Sequence, residues 1–270
     1  QMLRKLMQYE FTATGRIFLP LYGALIVVAF IQRLFLNFNI GNMENLSLGI
    51  LASSVPMLFL ILLVAVFVTS FIMMIIRFYK NLLTSEGYLM FTLPVSVSKL
   101  IWSKLIVIVI WMILSVIVGV AACLILVMSI SDLPDLFTVT NRLFVEIGAN
   151  EFWGLFLELA LLVLSSLVAG ILSVYLSMAV GQLSDKHKLL CSVGAYIGLN
   201  IIVNNIILAV IVAVLNSPFG ISMAHGLFAA FTEDQMAVAV LAGMIALNVV
   251  MGAVYFLLTR YILTKKLNLA

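Results

Sequence analysis

Six stretches of the chain are apolar without alternation: roughly 17–37, 51–77, 99–129, 155–183, 189–215 and 236–263. Each is as long as the run of about 20 residues that carries a helix across a hydrocarbon layer about 30 Å thick. A barrel strand would instead alternate apolar and polar positions over about 10 residues. The pattern therefore predicts an all-α membrane protein with six transmembrane helices, several long enough to tilt or to extend past the bilayer. No polar stretch between them is long enough to fold separately, so residues 1–270 are expected to form a single transmembrane domain. Ahead of the first span, Met2, Leu3, Leu6, Met7 and Phe11 recur at helical spacing among Arg4, Lys5, Gln8 and Glu10. That spacing predicts an N-terminal amphipathic helix over 1–15, lying on the membrane surface. Gly15 would permit a bend into the span, which Pro20 enters early.

Composition agrees with lipid as the solvent. The chain is 65% hydrophobic and 9% charged, against about 25% charged residues in a soluble domain. Twelve of the 14 Lys and Arg residues fall in the N-terminal segment, the even-numbered loops and the C-terminal segment. Only Arg33 and Arg142 fall on the other side. Glu44, Asp132, Asp135, Glu146, Glu151, Glu233 and Asp234 occupy the odd loops. The bias of basic residues toward the cytoplasm places both termini inside. The net charge of +3 belongs to residues beside lipid headgroups and does not argue for nucleic acid. No cleavable signal peptide is evident. Cys123 and Cys191 lie at depths too different for a disulfide and read as small packing residues. The third outer loop, about 216–235, has an apolar middle too short to span and fits a re-entrant or surface helix.

Little in the chain suggests an enzyme. His187 and His225 fall on opposite sides of the membrane, and there is no HExxH, cysteine cluster or P-loop GxxxxGK[ST]. Transport driven by ATP would need another chain to hold ATP and Mg. Polar groups within spans are costly unless partnered. Arg33 and Glu158 either pair, snorkel, or line an outward cavity. Asn200 and Asn204 share a helix face, Asn205 follows, and Asn248 is near the middle of span six. They either bond between helices or form a polar strip along a substrate pathway. Ser165, Ala169, Ser173, Ser177 and Gly181 recur every four residues in span four, and Gly194 and Gly198 in span five have GxxxG spacing. Both mark close helix approach, to this chain or to a second one.

Between spans two and three lies "TSEGYLMFTLPVSVSKLIWSKL", residues 84–105. Thr84 or Ser85 can cap a short helix, and Glu86 suits the positive end of its dipole. Tyr88, Leu89, Met90, Phe91 and Leu93 give it a sticky face, Pro94 ends it, and Ser96 can cap span three, with Lys99 and Lys104 at its inner end. A short helix held between two long spans can dock on a partner and pass on its movement. Alternatively it binds only lipid.

Residues 86–105 resemble the segment that follows the second span in ABC-2 type transporter permeases, where an acid, a glycine and an apolar "LPVS" run lead through "KL" into the third span. "YEFTATGRIFLPLY" (9–22) and "YILTKKLNLA" (261–270) are also similar to bacterial members of that group. The resemblance implies that 81–93 is a coupling helix, with Glu86, Tyr88, Leu89, Met90 and Phe91 touching cytoplasmic ABC ATPase subunits. It implies a connecting helix at the N-terminus, a second permease chain, and export across a bacterial plasma membrane. Glu158, Asn200, Asn204 and Asn248 are then candidates for the substrate pathway. No cofactor or metal is expected on this chain, and membrane lipid surrounds it. The outer loops are too small for the large external domain of some macrolide or lipoprotein exporters. Two other readings share the span pattern: a membrane sensor that signals without transport, and a membrane-embedded enzyme.

Overall fold

The computed structural model describes residues 2–37, 46–83, 96–127, 138, 141–142, 145, 152–184, 187–218, 222 and 232–265. Six long helices hold nearly all of them: α1 (Met2–Asn37), α2 (Leu46–Leu83), α3 (Val97–Val127), α4 (Phe152–Gly181), α5 (Lys188–Leu215) and α6 (Glu233–Lys265). No strand occurs among the described residues. All six helices are long and apolar enough to cross a membrane, which makes this a multi-pass membrane protein.

Two expectations about helix ends are corrected. The amphipathic segment does not bend away at Gly15: α1 runs unbroken from Met2 to Asn37. Gly15 is buried, and a Cβ there would lie 3.4 Å from Cζ2 of Trp111. It serves close approach to α3 rather than a bend. Pro20 sits inside the helix and removes the bond to the Arg16 carbonyl without ending it. Likewise α2 continues through Leu83, so residues 81–83 end a span and do not begin a coupling helix. Residues 84–95 lie outside the described residues.

The chain divides into two compact units, Gln1–Arg77 with Ser98–Glu146, and Phe78–Val97 with Ile147–Ala270. In the first, Phe18, Tyr22, Leu25 and Ala29 form one buried stripe on α1, the i, i+4, i+7, i+11 spacing of a packed helix face. Its aromatic members meet Trp111 on α3.

In the second unit α4 is the central helix, packed on both α5 and α6. Residues 171–179 are all buried. The small-residue row supplies the close approaches. A Cβ on Gly252 of α6 would lie 3.8 Å from the Ala169 Cα. A Cβ on Gly181 would lie 2.6 Å from the Ser192 backbone nitrogen of α5, a separation that only glycine permits. For this row, then, the neighbouring helices belong to the same chain. Phe78, at the end of α2, stacks on Tyr175 with ring centroids 3.9 Å apart; both are buried.

Candidate functional site

The first three helices share a buried polar and aromatic ladder that begins at their basic end. Glu10 on α1 is 4% exposed, although its place in the N-terminal pattern put it on a solvated face. Lys104, expected among the headgroups, is equally buried. Its Nζ donates to Glu10 Oε1 at 2.6 Å. Arg77 of α2 approaches the other carboxylate oxygen, Nη1 to Oε2 3.8 Å, with its side chain 23% exposed. One carboxylate thus faces two cations from two other helices. Charges are kept inside protein only when paired in this way, because each unpaired ion costs several kcal/mol to desolvate.

One turn further along α1, Thr14 Oγ1 donates to the Glu10 carbonyl at 2.6 Å and accepts from Trp111 Nε1 at 2.9 Å. The Trp111 indole lies between Phe11 and Phe18, each centroid 4.7 Å away, at interplanar angles of 20° and 11°. Beyond it, Tyr22 Oη and Ser115 Oγ are 2.7 Å apart, and Ser115 Oγ and Ser70 Oγ of α2 are 3.0 Å apart. Ser115 donates to the Trp111 carbonyl at 2.9 Å. Every one of these hydroxyls has an acceptor within reach, which a buried polar group requires.

Arg33 lies near the opposite end of α1. Its Nη1 donates to the Leu126 carbonyl at 3.1 Å, one of the last carbonyls of α3, which has no partner within the helix. The contacts 10–104, 14–111, 22–115 and 33–126 keep almost the same order along both helices. So α1 and α3 run parallel, tied at points about 33 Å apart at 1.5 Å per residue. The pair is joined to α2 through Arg77 and Ser70.

The remaining candidate residues do not gather into a site. Glu158 is half-buried on α4, with Oε2 buried and lacking a hydrogen-bond partner among the described residues. Asn200 and Asn205 on α5 donate to carbonyls of their own helix, Tyr196 at 2.8 Å and Ile201 at 2.7 Å. Asn204 is exposed and Asn248 half-buried. No hydrogen bond or ion pair joins Glu158, Asn200, Asn204 and Asn248 among the described residues. Glu86, Tyr88, Leu89, Met90, Phe91 and His225 lie outside the described residues. Both cysteines are free and exposed rather than packed inside the chain.

Sequence reasoning missed Thr14, Tyr22, Ser70, Trp111 and Ser115. A signal existed. Glu10 is the first acid of the chain and the only one before Glu44, among Arg4, Lys5 and Arg16. On α3, Lys104, Trp111 and Ser115 are spaced i, i+7, i+11, on one face. No protein-family model, curated protein or solved structure matches the chain.

Proposed function

We propose that this chain is the permease subunit of an ATP-driven exporter of the ABC-2 type, moving a drug, peptide or lipid-like substrate outward across a bacterial plasma membrane. Both termini are then cytoplasmic. Separate cytoplasmic ATPase subunits hold ATP and Mg, and a second permease chain completes the pathway. One observation carries this reading: Glu10 ties α1 to Lys104 and Arg77, near the ends of the two helices that residues 84–95 connect. A partner that displaces that segment would push on helix ends already bound to α1. The parallel tie between α1 and α3 would then carry the push across the membrane as one body. The acid, aromatic and methionine content of 86–91 supports docking in a groove on a soluble subunit.

The test is purification of the chain from its native membrane in mild detergent, with identification of what accompanies it. A stoichiometric protein carrying a P-loop is expected, together with ATP-dependent flux in vesicles. Glu86→Lys, and Tyr88→Ala with Phe91→Ala, should weaken the association, each lost apolar anchor contributing about 1–3 kcal/mol if buried. An ATPase partner without flux would leave the sensor reading. Absence of any ATPase from an intact preparation would overturn the proposal.

A further inference from the structure

An open apolar groove of about 590 Å³ runs between α1 and α3, on the side of α1 away from Glu10. Its α1 wall includes Thr12, Gly15, Arg16, Leu19 and Pro20, a continuous stripe at i, i+3, i+4, i+7, i+8, flanked by two aromatic rings of the same helix. Leu114 and Val118 of α3 form the far wall, and the edge of Trp111 forms the floor. Among the described residues, Arg16 is the one charged residue lining it. It is exposed, and no ion pair to it occurs among the described residues.

The depth of Arg16 decides what the groove can hold. A hydrocarbon layer about 30 Å thick takes about 20 residues of helix. Counted back from Asn37, that reaches residue 17. Arg16 therefore sits at the hydrocarbon boundary, at the level of lipid phosphates. Leu19 and Tyr22 lie about 5 and 9 Å deeper on α1, and Leu114 and Val118 face the same layer from α3. The groove presents a guanidinium at headgroup level and an apolar trough below it. Pro20 also frees the Arg16 carbonyl from its helical bond, which leaves the rim locally polar. Guanidinium pairs well with phosphate, by two parallel N–H···O bonds.

We propose that this groove binds one anionic glycerophospholipid, with its phosphate on Arg16 and an acyl chain along Leu19, Leu114 and Val118. The lipid would fill the gap between the two tied helices and bear on Trp111. A zwitterionic lipid brings its own cation beside the phosphate and competes less well for Arg16. The site is separate from the Glu10–Lys104 pair and does not depend on the transport reading.

Trp111 supplies the probe. In a Trp102→Phe, Trp153→Phe background it is the remaining tryptophan. The protein is reconstituted in phosphatidylcholine vesicles containing a small fraction of phosphatidylglycerol brominated on its chains, or the same fraction of brominated phosphatidylcholine. Half-maximal quenching is expected at about a tenfold lower fraction of the anionic lipid, the factor for one charge-assisted contact. Arg16→Gln should abolish the preference, and Arg16→Lys should keep part of it. Val118→Phe, which fills the trough and leaves Arg16 alone, should lower quenching by both lipids. Equal quenching by the two lipids in the unaltered background would overturn the proposal. So would a preference that survives Arg16→Gln.

Discussion

The Glu10–Lys104 contact offers the sharpest test of the α1–α3 tie. At 2.6 Å, two unit charges attract by about 6 kcal/mol at an effective dielectric constant of about 20. Desolvating both ions costs several kcal/mol each, so the intact pair contributes little net stability. Removing one partner is different, because the survivor stays buried without compensation, at about 3–5 kcal/mol. The structure also predicts an asymmetry. Lys104→Met leaves Glu10 with Arg77 at 3.8 Å, so the loss should fall at the lower end of that range. Glu10→Gln leaves Lys104 and Arg77 facing each other without the carboxylate between them, and should fall at the upper end. The double variant removes both ions of the short pair. It should recover to within about 2 kcal/mol of the unaltered protein, since neither ion of that pair is then left buried without its partner.

The assay is thermal unfolding in detergent followed by Trp111 fluorescence, again with Trp102 and Trp153 replaced by Phe. Trp111 packs against Phe11 beside Glu10, so its emission reports on this region directly. At about 2–4 °C per kcal/mol for a chain of this size, each single variant should lower the midpoint by about 10 °C. Two results would refute the reasoning. One is single variants each within about 0.5 kcal/mol of the unaltered protein, the range of ordinary surface changes. The other is strict additivity in the double variant, which would mean that the residues act independently.

Three further outcomes follow from packing. Gly181→Ala should destabilise by about 1–3 kcal/mol, because the new Cβ meets the Ser192 backbone; the midpoint of thermal unfolding checks this. Gly194→Ala and Gly198→Ala should be neutral or slightly stabilising in the isolated chain, since a Cβ at either meets none of the described residues within 4 Å and alanine is the better helix former by about 1 kcal/mol. If they instead weaken self-association in cross-linking, a second copy of the chain packs on that face. Tyr22→Phe should cost about 1 kcal/mol, since Ser115 keeps Ser70 and the Trp111 carbonyl; a loss several times larger would mean that the hydroxyl chain acts as a unit.

The six spans were legible because length and unbroken apolarity suffice to identify them. Where the helices end was less legible, for a physical reason. Gly15 has two possible uses, a bend or a close approach, and only the position of Trp111 decides between them. The reading of Lys104 failed similarly. A lysine near the end of a span snorkels unless an acid faces it, and that acid sits 94 residues earlier in the chain. The four-residue row on α4 was read correctly, because small residues at that spacing leave little else for a helix face to do. Gly194 and Gly198 carry the same local signal, yet among the described residues none fills the space beside them. A GxxxG pattern therefore marks an ability to pack, not a partner. The asparagines of span five show the same limit, since Asn200 and Asn205 satisfy a donor on their own backbone.

The end of α2 joins these observations. Arg77 and Phe78 are consecutive, yet Arg77 reaches Glu10 of α1 while Phe78 stacks on Tyr175 of α4. Successive residues on a helix point about 100° apart, so one turn can serve two neighbours. Five residues later the helix ends at Leu83, and Leu82 and Leu83 are both buried. A helix anchored so near its end has few free residues in which to absorb a displacement. In the proposed exporter, movement imposed on residues 84–95 would reach Arg77 and Phe78 near the end of α2. Within the first unit, Arg77 binds α2 to Glu10 of α1; within the second, Phe78 binds the end of the same helix to Tyr175. The proposed exporter needs such anchoring of the span beside its partner, and a sensor that relays binding to a soluble subunit would need it too. Vesicle flux, rather than any feature of α2, separates the two.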